Sequence, residues 1–262
     1  MATSVWRTIR IGFLLLFLGI AVYWNVHDRL STTDWDETLW IGVFPINAEG
    51  GDVADDYIYG LSLANVADIE AFINHEARRY GVSIQRPVRV DLYPEVAEQP
   101  PPRAPDAGVL ATMWWSLKLR LYANRNSQPP GRAPPQIRIF VLYHDPTFTQ
   151  SVPHSVGMQK GLVGVVHAYA DREMTRTNNV VIAHEILHTL GASDKYDLDS
   201  LAPLYPDGYA EPDADPLYPQ HLAELMAGRY AVDAHTFEMP ETLDEVRVGD
   251  ATAREIRWTR AP

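Results

Sequence analysis

The chain has 262 residues, of which 46% are hydrophobic, and a formal net charge of −12. A chain of this size can bury one substantial core and is most simply one globular domain with a targeting segment. Cysteine is absent, which excludes thiol catalysis, disulfide bonds and zinc sites built from thiolates. The negative charge gives no reason to expect nucleic acid or an anionic membrane surface as a partner.

The beginning of the chain carries an apolar run that predicts a membrane anchor. Arg7 and Arg10 flank the start of residues 11–24, which contain no charge and are dominated by leucine, isoleucine and phenylalanine. The length of this run lies between a signal-peptide core and a full membrane span. Small residues at the usual cleavage positions are missing, and Tyr23 and Trp24 suit the aromatic belt of a membrane interface.

The predicted organisation follows from this anchor. Residues 1–8 are expected in the cytoplasm, residues 9–26 form an uncleaved transmembrane signal anchor, residues 27–37 are a polar tether, and residues 38–262 are one folded domain. We expect a single-pass membrane protein whose domain lies in the periplasm or the extracellular space. A cleaved signal peptide followed by secretion is the alternative.

Strands and helices alternate along the domain, which favours an α/β or α+β fold. Apolar residues at helical spacing predict a helix over residues 61–80, which ends at Gly81. A second helix is predicted over residues 109–124. Strands are predicted over residues 38–46, 87–93, 137–143 and 161–169.

Residues 184–194, which read HEILHTLGASD, carry the strongest functional signal in the chain. His184 and His188 are four residues apart, so on a helix they project from one face and both imidazoles can reach one metal ion. Glu185 can face a water molecule on that ion and act as the general base. Gly191 permits a left-handed residue that ends the helix, and the turn that follows could bring Asp194 round as a third ligand.

This ligand set predicts the kind of metal. Two imidazoles and a carboxylate, with one position left for water, form the open arrangement of a catalytic zinc. The apolar residues around the histidines predict a buried helix with an N-cap at Thr177 or Asn178. The alternative is a buried amphipathic helix whose histidines hydrogen-bond to each other. We expect one catalytic Zn²⁺ as the cofactor.

The spacing of the motif resembles that of a known family. His184-Glu185-x-x-His188-x-x-Gly191-x-x-Asp194 is similar to the metzincin zinc proteases, in the form of the snapalysin-like secreted bacterial proteases, where aspartate replaces the third histidine. The resemblance implies His184, His188 and Asp194 as zinc ligands and Glu185 as the base.

The same resemblance implies more of the fold. It implies a zincin-like α+β architecture with a mixed, mostly parallel twisted sheet, an antiparallel edge strand and a mostly helical or irregular C-terminal subdomain. In metzincins the strand before the metal helix is the antiparallel edge that binds extended substrate, so residues 161–169 would be that edge, with His167 and Tyr169 able to point into the cleft. A methionine in a tight turn beneath the metal is also implied, and Met226 is the candidate, with an ordinary core methionine as the alternative.

Other acidic residues compete with Asp194 as the third ligand. Another group of zincins takes this ligand from a glutamate on a later helix, where Glu224 could serve, and Asp197 and Glu211 also lie downstream. Gly191 favours Asp194, because an immediate chain reversal needs a glycine there and a continuing helix does not.

Several further residues are open to two interpretations. Residues 194–219 are acidic and rich in proline; they could bind Ca²⁺, but no ordered ligand spacing is present, so a solvated loop is expected. Tyr196 and Tyr230 are candidates to donate a hydrogen bond to a tetrahedral intermediate, with packing as the alternative. His167, alone on a strand, is more often structural.

These patterns predict a zinc metalloendopeptidase in residues 38–262 that hydrolyses peptide bonds in a peptide or protein substrate. Two alternatives stay open: a non-proteolytic zinc amidase that acts on cell-wall peptides, and an inactive binding protein with a zincin fold. No nucleic acid is expected as a partner, and the sequence leaves the oligomeric state open.

Overall fold

The computed structural model describes residues 6, 10–12, 33–104, 108–128, 131, 133–159 and 161–259. Up to the end of the motif helix the elements are β1 (Leu39–Asn47), α1 (Asp52–Tyr59), α2 (Ala67–Arg79), β2 (Val88–Leu92), α3 (Val109–Asn126), β3 (Ile137–His144), β4 (Val156–Met158), β5 (Val163–Tyr169) and α4 (Thr175–Leu190). Beyond α4 the elements are short: β6 (Ala223–Glu224), β7 (Tyr230–Ala231), β8 (Phe237–Glu238), β9 (Val246–Arg247) and α5 (Asp250–Glu255). Single 3₁₀ turns cover Leu63–Asn65 and Leu243–Glu245.

One five-stranded sheet, in the order β2-β1-β3-β5-β4, organises the molecule. The first four strands in this order are parallel, and β4 pairs antiparallel with β5. Almost every residue of β1 and β3 is buried, as a parallel sheet covered on both faces requires. The predicted mixed α+β fold, with a mostly parallel sheet and an antiparallel edge strand, is therefore confirmed.

The prediction that residues 161–169 form the sheet edge is wrong. Strand β5 occupies most of that segment and lies between β3 and β4, so the edge strand is β4. Strand β4 has only three residues, which is too short to show the alternation that marks a half-buried strand. Gly157 of β4 pairs with Gly164 of β5.

Each face of the sheet packs against a different set of helices. Successive side chains of a strand point to opposite faces. On one face Ile139 and Val141 of β3 share a core with α1, α2 and α4. On the other face Phe140 packs with α3, through a second cluster that includes Trp115 and Leu119. The motif helix and α3 therefore lie on opposite sides of the sheet.

Some elements differ from their predicted form. Helix α1 was not predicted; it has only eight residues, with Asp52 and Asp55 in the first turn, where carboxylates favour a helix N-terminus. The helix predicted over residues 61–80 is a 3₁₀ turn followed by α2. The C-terminal part is irregular, as predicted, but it holds paired short strands more than helix.

The predicted single-pass anchor over residues 9–26, and the location derived from it, are corrected. No helix in the described part of the chain is long and apolar enough to cross a membrane. A span needs about 20 consecutive apolar residues, whereas α3, an 18-residue helix, carries Lys118, Arg120 and Arg125. Of the anchor segment itself, residues 9 and 13–26 lie outside the described residues.

Candidate metal centre

Helix α4 carries His184, Glu185 and His188 on its last two turns and ends where the sequence predicts. Gly191 has a φ of 105°, in the left-handed region, which confirms the predicted stop. Its amide donates to the carbonyl of His188, and the amide of Ala192 donates to that of Leu187, over 3.1 and 3.0 Å. This pair of bonds is the Schellman arrangement that reverses a chain at a helix end. The helix begins at Thr175, earlier than the predicted caps.

Both imidazole rings are held by a carbonyl oxygen. The Nδ1 atom of His184 lies 2.9 Å from the carbonyl oxygen of Leu225, and that of His188 lies 2.8 Å from the carbonyl oxygen of Ala192. A carbonyl accepts only, so each Nδ1 carries a proton, and each Nε2 is left to bind a metal when the ring is neutral or to donate to an acceptor when the ring is protonated. Metal-binding histidines are commonly oriented in this way.

Asp194 lies against both Nε2 atoms. Its Oδ1 atom is 3.2 Å from Nε2 of His184 and 3.1 Å from Nε2 of His188. Ligands about 2.0 Å from a tetrahedral zinc lie about 3.3 Å from one another, so both of these distances are close to the spacing of zinc ligands. The rings meet edge to face, at 81°, and both direct Nε2 toward Asp194 and not toward each other.

The charges support an ionised Asp194. Burial by itself raises the pKa of the Asp194 carboxyl, but the hydrogen bonds to His184 and His188 outweigh it and hold that pKa well below its usual range. Burial would lower the pKa of His188, but the contact with Asp194 and the charge of Glu185 raise it. A carboxylate that is ionised at neutral pH suits a metal ligand.

Glu185 occupies a different environment from Asp194. Its side chain is buried, and burial raises its pKa, although the charges of His184 and His188 act against this. Its Oε2 atom is buried without a hydrogen-bond partner. Ligand atoms of His184, Glu185 and His188 all lie within 4.8 Å of one another, a spacing that could hold a metal. Asp194 is also a candidate for the third position, because its Oδ1 atom lies within about one ligand spacing of both Nε2 atoms.

Gly157 allows α4 to lie close to the sheet edge. A Cβ atom on Gly157 of β4 would lie 2.6 Å from Cβ of His188 and 3.0 Å from Oε2 of Glu185. A side chain at this position would push α4 outward. Gly164, opposite in β5, has its tight contact elsewhere, because a Cβ atom there would lie 2.8 Å from Cδ1 of Ile139 in β3. Gly157 therefore places Glu185 beside β4.

A carboxylate from the far end of the chain holds the segment around Asp194. Both oxygens of Glu255, on α5, accept from the ammonium of Lys195, over 2.8 and 2.9 Å. The same carboxylate accepts the backbone amide of Ser193 at 2.9 Å and its hydroxyl at 2.7 Å. Both neighbours of Asp194 are thus fixed by one group, which limits the directions that the Asp194 side chain can take.

Glu224, the rival third ligand, is engaged elsewhere. Its fully buried carboxylate accepts from the amides of Met226, Ala227 and Gly249 and from the hydroxyl of Thr252, over 2.6 to 3.0 Å. Four donors satisfy both of its oxygens. Glu224 therefore stabilises the turn that follows it and is not placed to bind a metal.

That turn contains Met226, the predicted methionine of the metal site. Gly228 closes the turn with a φ of 66°, and its amide donates to the carbonyls of Glu224 and Leu225. Met226 is fully buried in the same core as α4, and the preceding carbonyl, of Leu225, orients His184. A tight turn is therefore present at Met226, and it contacts His184 through the backbone of Leu225.

The two candidate tyrosines differ in position. Burial raises the pKa of Tyr196, and the charges of Asp194 and Glu185 raise it further, so this hydroxyl lies within the field of the site. The hydroxyl of Tyr230 donates to Glu238 at 2.9 Å, and this bond raises its pKa. Tyr196 therefore feels the charges of Asp194 and Glu185, and Tyr230 is hydrogen-bonded to Glu238 of β8.

His167 and Tyr169 do not face α4. Val163 and Val165 of β5 pack on the α3 side of the sheet, and strand alternation puts His167 and Tyr169 on that side too. His167 Nδ1 lies 2.9 Å from Nε2 of His144, whose Nδ1 lies 2.6 Å from Glu49. The hydroxyl of Tyr169 donates to the carbonyl of Gln150.

The remaining acidic candidates are engaged within their own loop. Asp197 accepts from the amides of Asp199 and Ser200, and Glu211 accepts from the amide of His221.

The residues that sequence reasoning missed are Glu255, Lys195 and Ser193. No signal in the sequence connects them, because 60 residues separate Lys195 from Glu255.

No protein-family model matches this sequence, and no curated protein matches it. The assignment of the site therefore rests on its residues and their geometry.

The contacts of Glu255 generate a first prediction. Glu255→Gln removes the charge that holds Lys195 and Ser193, so Asp194 loses its fixed direction and zinc affinity falls about tenfold. Competition with a chromophoric chelator measures this affinity, and Glu37→Gln, at an exposed position, is the matched control. Unchanged zinc affinity in Glu255→Gln would show that the contacts serve stability alone, which urea unfolding of the same variant measures.

His167 generates a second prediction. Burial, with the nearby His144, lowers the pKa of His167 to about 4 from 6.5. Between these values the unfolded chain binds more protons than the folded chain, so the free energy of unfolding decreases as pH falls from about 6.5 to about 4. His167→Gln should reduce this decrease, measured by urea unfolding at several pH values across this window. His221→Gln, whose side chain is 78% exposed, is the control; equal pH dependence in all three proteins would contradict the prediction.

Proposed function

We propose that this protein is a zinc-dependent peptidase that hydrolyses peptide bonds, with Glu185 as the general base. The observation that carries the proposal is the convergence of Asp194 Oδ1 on both Nε2 atoms at 3.1 and 3.2 Å, while each Nδ1 is held by a carbonyl. His184, His188 and Asp194 would hold the zinc. A zinc ion bound there activates water and polarises the carbonyl of the scissile bond.

Glu185 moves the proton. Its carboxylate lies next to His184 on α4, and its Oε2 atom is buried without a hydrogen-bond partner, so it keeps the capacity to accept one. Burial raises its pKa toward the range in which a carboxylate can both take a proton and return it. Glu185 takes the proton of the attacking water and then donates it to the nitrogen of the leaving amine.

The edge of the sheet suits an extended substrate. Strand β4 is one of the two edge strands of the sheet, and Gly157 brings it against Glu185 and His188. A peptide can add to such an edge through main-chain hydrogen bonds, which places its backbone along the site without demanding particular side chains. Tyr196, in the field of Asp194 and Glu185, is the residue we assign to hydrogen-bond the carbonyl oxygen during attack.

Several features support a metzincin-like enzyme of the aspartate type. The motif spacing, the left-handed Gly191, the antiparallel β4 beside α4 and the turn at Met226 are those that the resemblance implies. Gly191 belongs to the motif itself, whereas β4 and the turn at Met226 come from other parts of the chain. The proposal concerns the type of site, and experiments on substrates are needed to identify the natural one.

The role of Glu185 generates the central prediction. Glu185→Gln keeps the shape of the side chain but cannot accept the proton, so we expect an unchanged zinc content and a loss of hydrolysis of about a hundredfold or more. Metal analysis and cleavage of a peptide library measure the two quantities. Asp194→Asn is the companion variant, and its zinc content should fall.

Two results would contradict the proposal. Full hydrolysis by Glu185→Gln would remove Glu185 from the mechanism. Zinc binding by the wild-type protein without cleavage of proteins or peptides would reject the peptidase, and cell-wall fragments assayed in parallel would then test the zinc amidase.

A further inference from the structure

Helix α3 exposes an apolar stripe on its outward face. Five large side chains stand at positions i, i+3, i+4, i+7 and i+11, which follow one another along one side of a helix. Their exposed fractions are 81% for Leu110, 62% for Met113, 62% for Trp114, 40% for Leu117 and 63% for Leu121. We call this set the α3 stripe.

The fold itself does not need the α3 stripe. Helix α3 is attached to the sheet through its other side, where Trp115, Leu119, Tyr122 and Ala123 are buried against β1, β3 and β5. A surface helix of a globular domain normally presents charged and polar residues opposite such a face. A contiguous apolar row on the solvent side is typical of a binding surface.

Positive charges border the α3 stripe on both sides. At 100° per residue, Arg120 lies about 75° to one side of the stripe and Lys118 about 85° to the other; both side chains are exposed. The helix contains no aspartate or glutamate, although the whole chain has a net charge of −12. Because charges beyond about 8 Å are largely screened, the local positive borders matter more at this surface than the total charge.

We infer that the α3 stripe docks peripherally on an anionic lipid surface. A helix that lies in the membrane interface has a tryptophan- and leucine-rich face buried among the acyl chains and lysine or arginine at its borders, near the headgroups. The α3 helix has this distribution, with Trp114 in the stripe and Lys118 and Arg120 beside it. Such docking places the helix parallel to the bilayer, and no segment crosses it.

Charge complementarity decides between this occupant and a second copy of the chain. Two α3 stripes placed face to face would bring Lys118 and Arg120 of one copy against the same cations of the other, which disfavours the pair. An anionic bilayer supplies acyl chains for the stripe and negative headgroups for both borders at once.

The position of α3 makes this inference independent of the proposed hydrolysis. Helices α3 and α4 pack on opposite faces of the sheet, so a protein docked through α3 keeps the candidate metal centre on the side away from the lipid. Lipid binding and zinc chemistry can therefore fail separately.

Vesicle co-sedimentation of the full chain tests the inference. We expect the wild-type protein to bind vesicles of phosphatidylcholine mixed with phosphatidylglycerol and to bind pure phosphatidylcholine vesicles much less. Trp114→Ser/Leu117→Ser should weaken binding to the mixed vesicles about tenfold or more, since two large apolar side chains are lost from the contact. Lys118→Gln/Arg120→Gln should remove the preference for the anionic vesicles.

Matched controls make the outcome decisive. Tyr59→Ser/Phe148→Ser removes two side chains that are 93% and 82% exposed and lie outside α3, and it should bind like the wild type. All of these substitutions are at exposed positions, so thermal unfolding should be unchanged. The inference would be overturned if the wild-type protein did not bind anionic vesicles, or if the stripe variants bound them as well as the wild type does. A wild-type oligomer in sedimentation velocity that Trp114→Ser/Leu117→Ser dissociates would also overturn it, because the stripe would then be a contact between copies.

Discussion

The candidate metal centre depends on two hydrogen bonds, from Nδ1 of His184 to the carbonyl of Leu225 and from Nδ1 of His188 to that of Ala192. A histidine on a helix can turn either nitrogen toward a metal, and its ring can rotate out of reach. Each carbonyl fixes both the choice of nitrogen and the orientation of the ring, because it accepts a hydrogen bond from Nδ1 and leaves Nε2 facing the candidate site. The two carbonyls belong to separate turns, so the geometry of the site is set by the rest of the C-terminal chain as much as by α4.

One short helix connects those turns. Thr252 of α5 donates to Glu224, which holds the turn containing Leu225, and Glu255 of the same helix holds both neighbours of Asp194. Buried carboxylates are costly unless donors surround them, and here Glu224 receives four donors. The cost is offset only when both turns and α5 are in place together. This couples the parts of the candidate site: the side chains that could bind a metal depend on packing 60 residues further along the chain.

The sequence could predict those parts of the structure that depend on residues close to one another along the chain. A helix and its end determine locally how His184 and His188 are spaced and how the chain reverses at Gly191. The strands β1, β3 and β5 could be predicted because each is a strongly apolar run. Strand β4 has three residues and no periodicity, so its place at the edge was assigned to β5 instead. The contacts of Glu255 and Glu224 join distant segments and leave no pattern. The anchor was predicted from an uncharged apolar run, its flanking arginines and its aromatic residues, but no helix in the described part of the chain is long and apolar enough to cross a membrane.

The helices on the two faces of the sheet differ in what their remaining residues do. A parallel sheet must be covered on both faces, and α4 meets this requirement on one side with Ile186, Leu187 and Leu190 while its polar residues build the site. On the other side α3 meets the same requirement with Trp115 and Leu119, and its outer surface has no structural task. Selection for solubility would make that surface polar. The row from Leu110 to Leu121 is nevertheless apolar, and cations border it although the whole protein is acidic. The fold does not explain this row. Binding to a membrane surface, which has negative headgroups and an apolar interior, explains both the row and its borders.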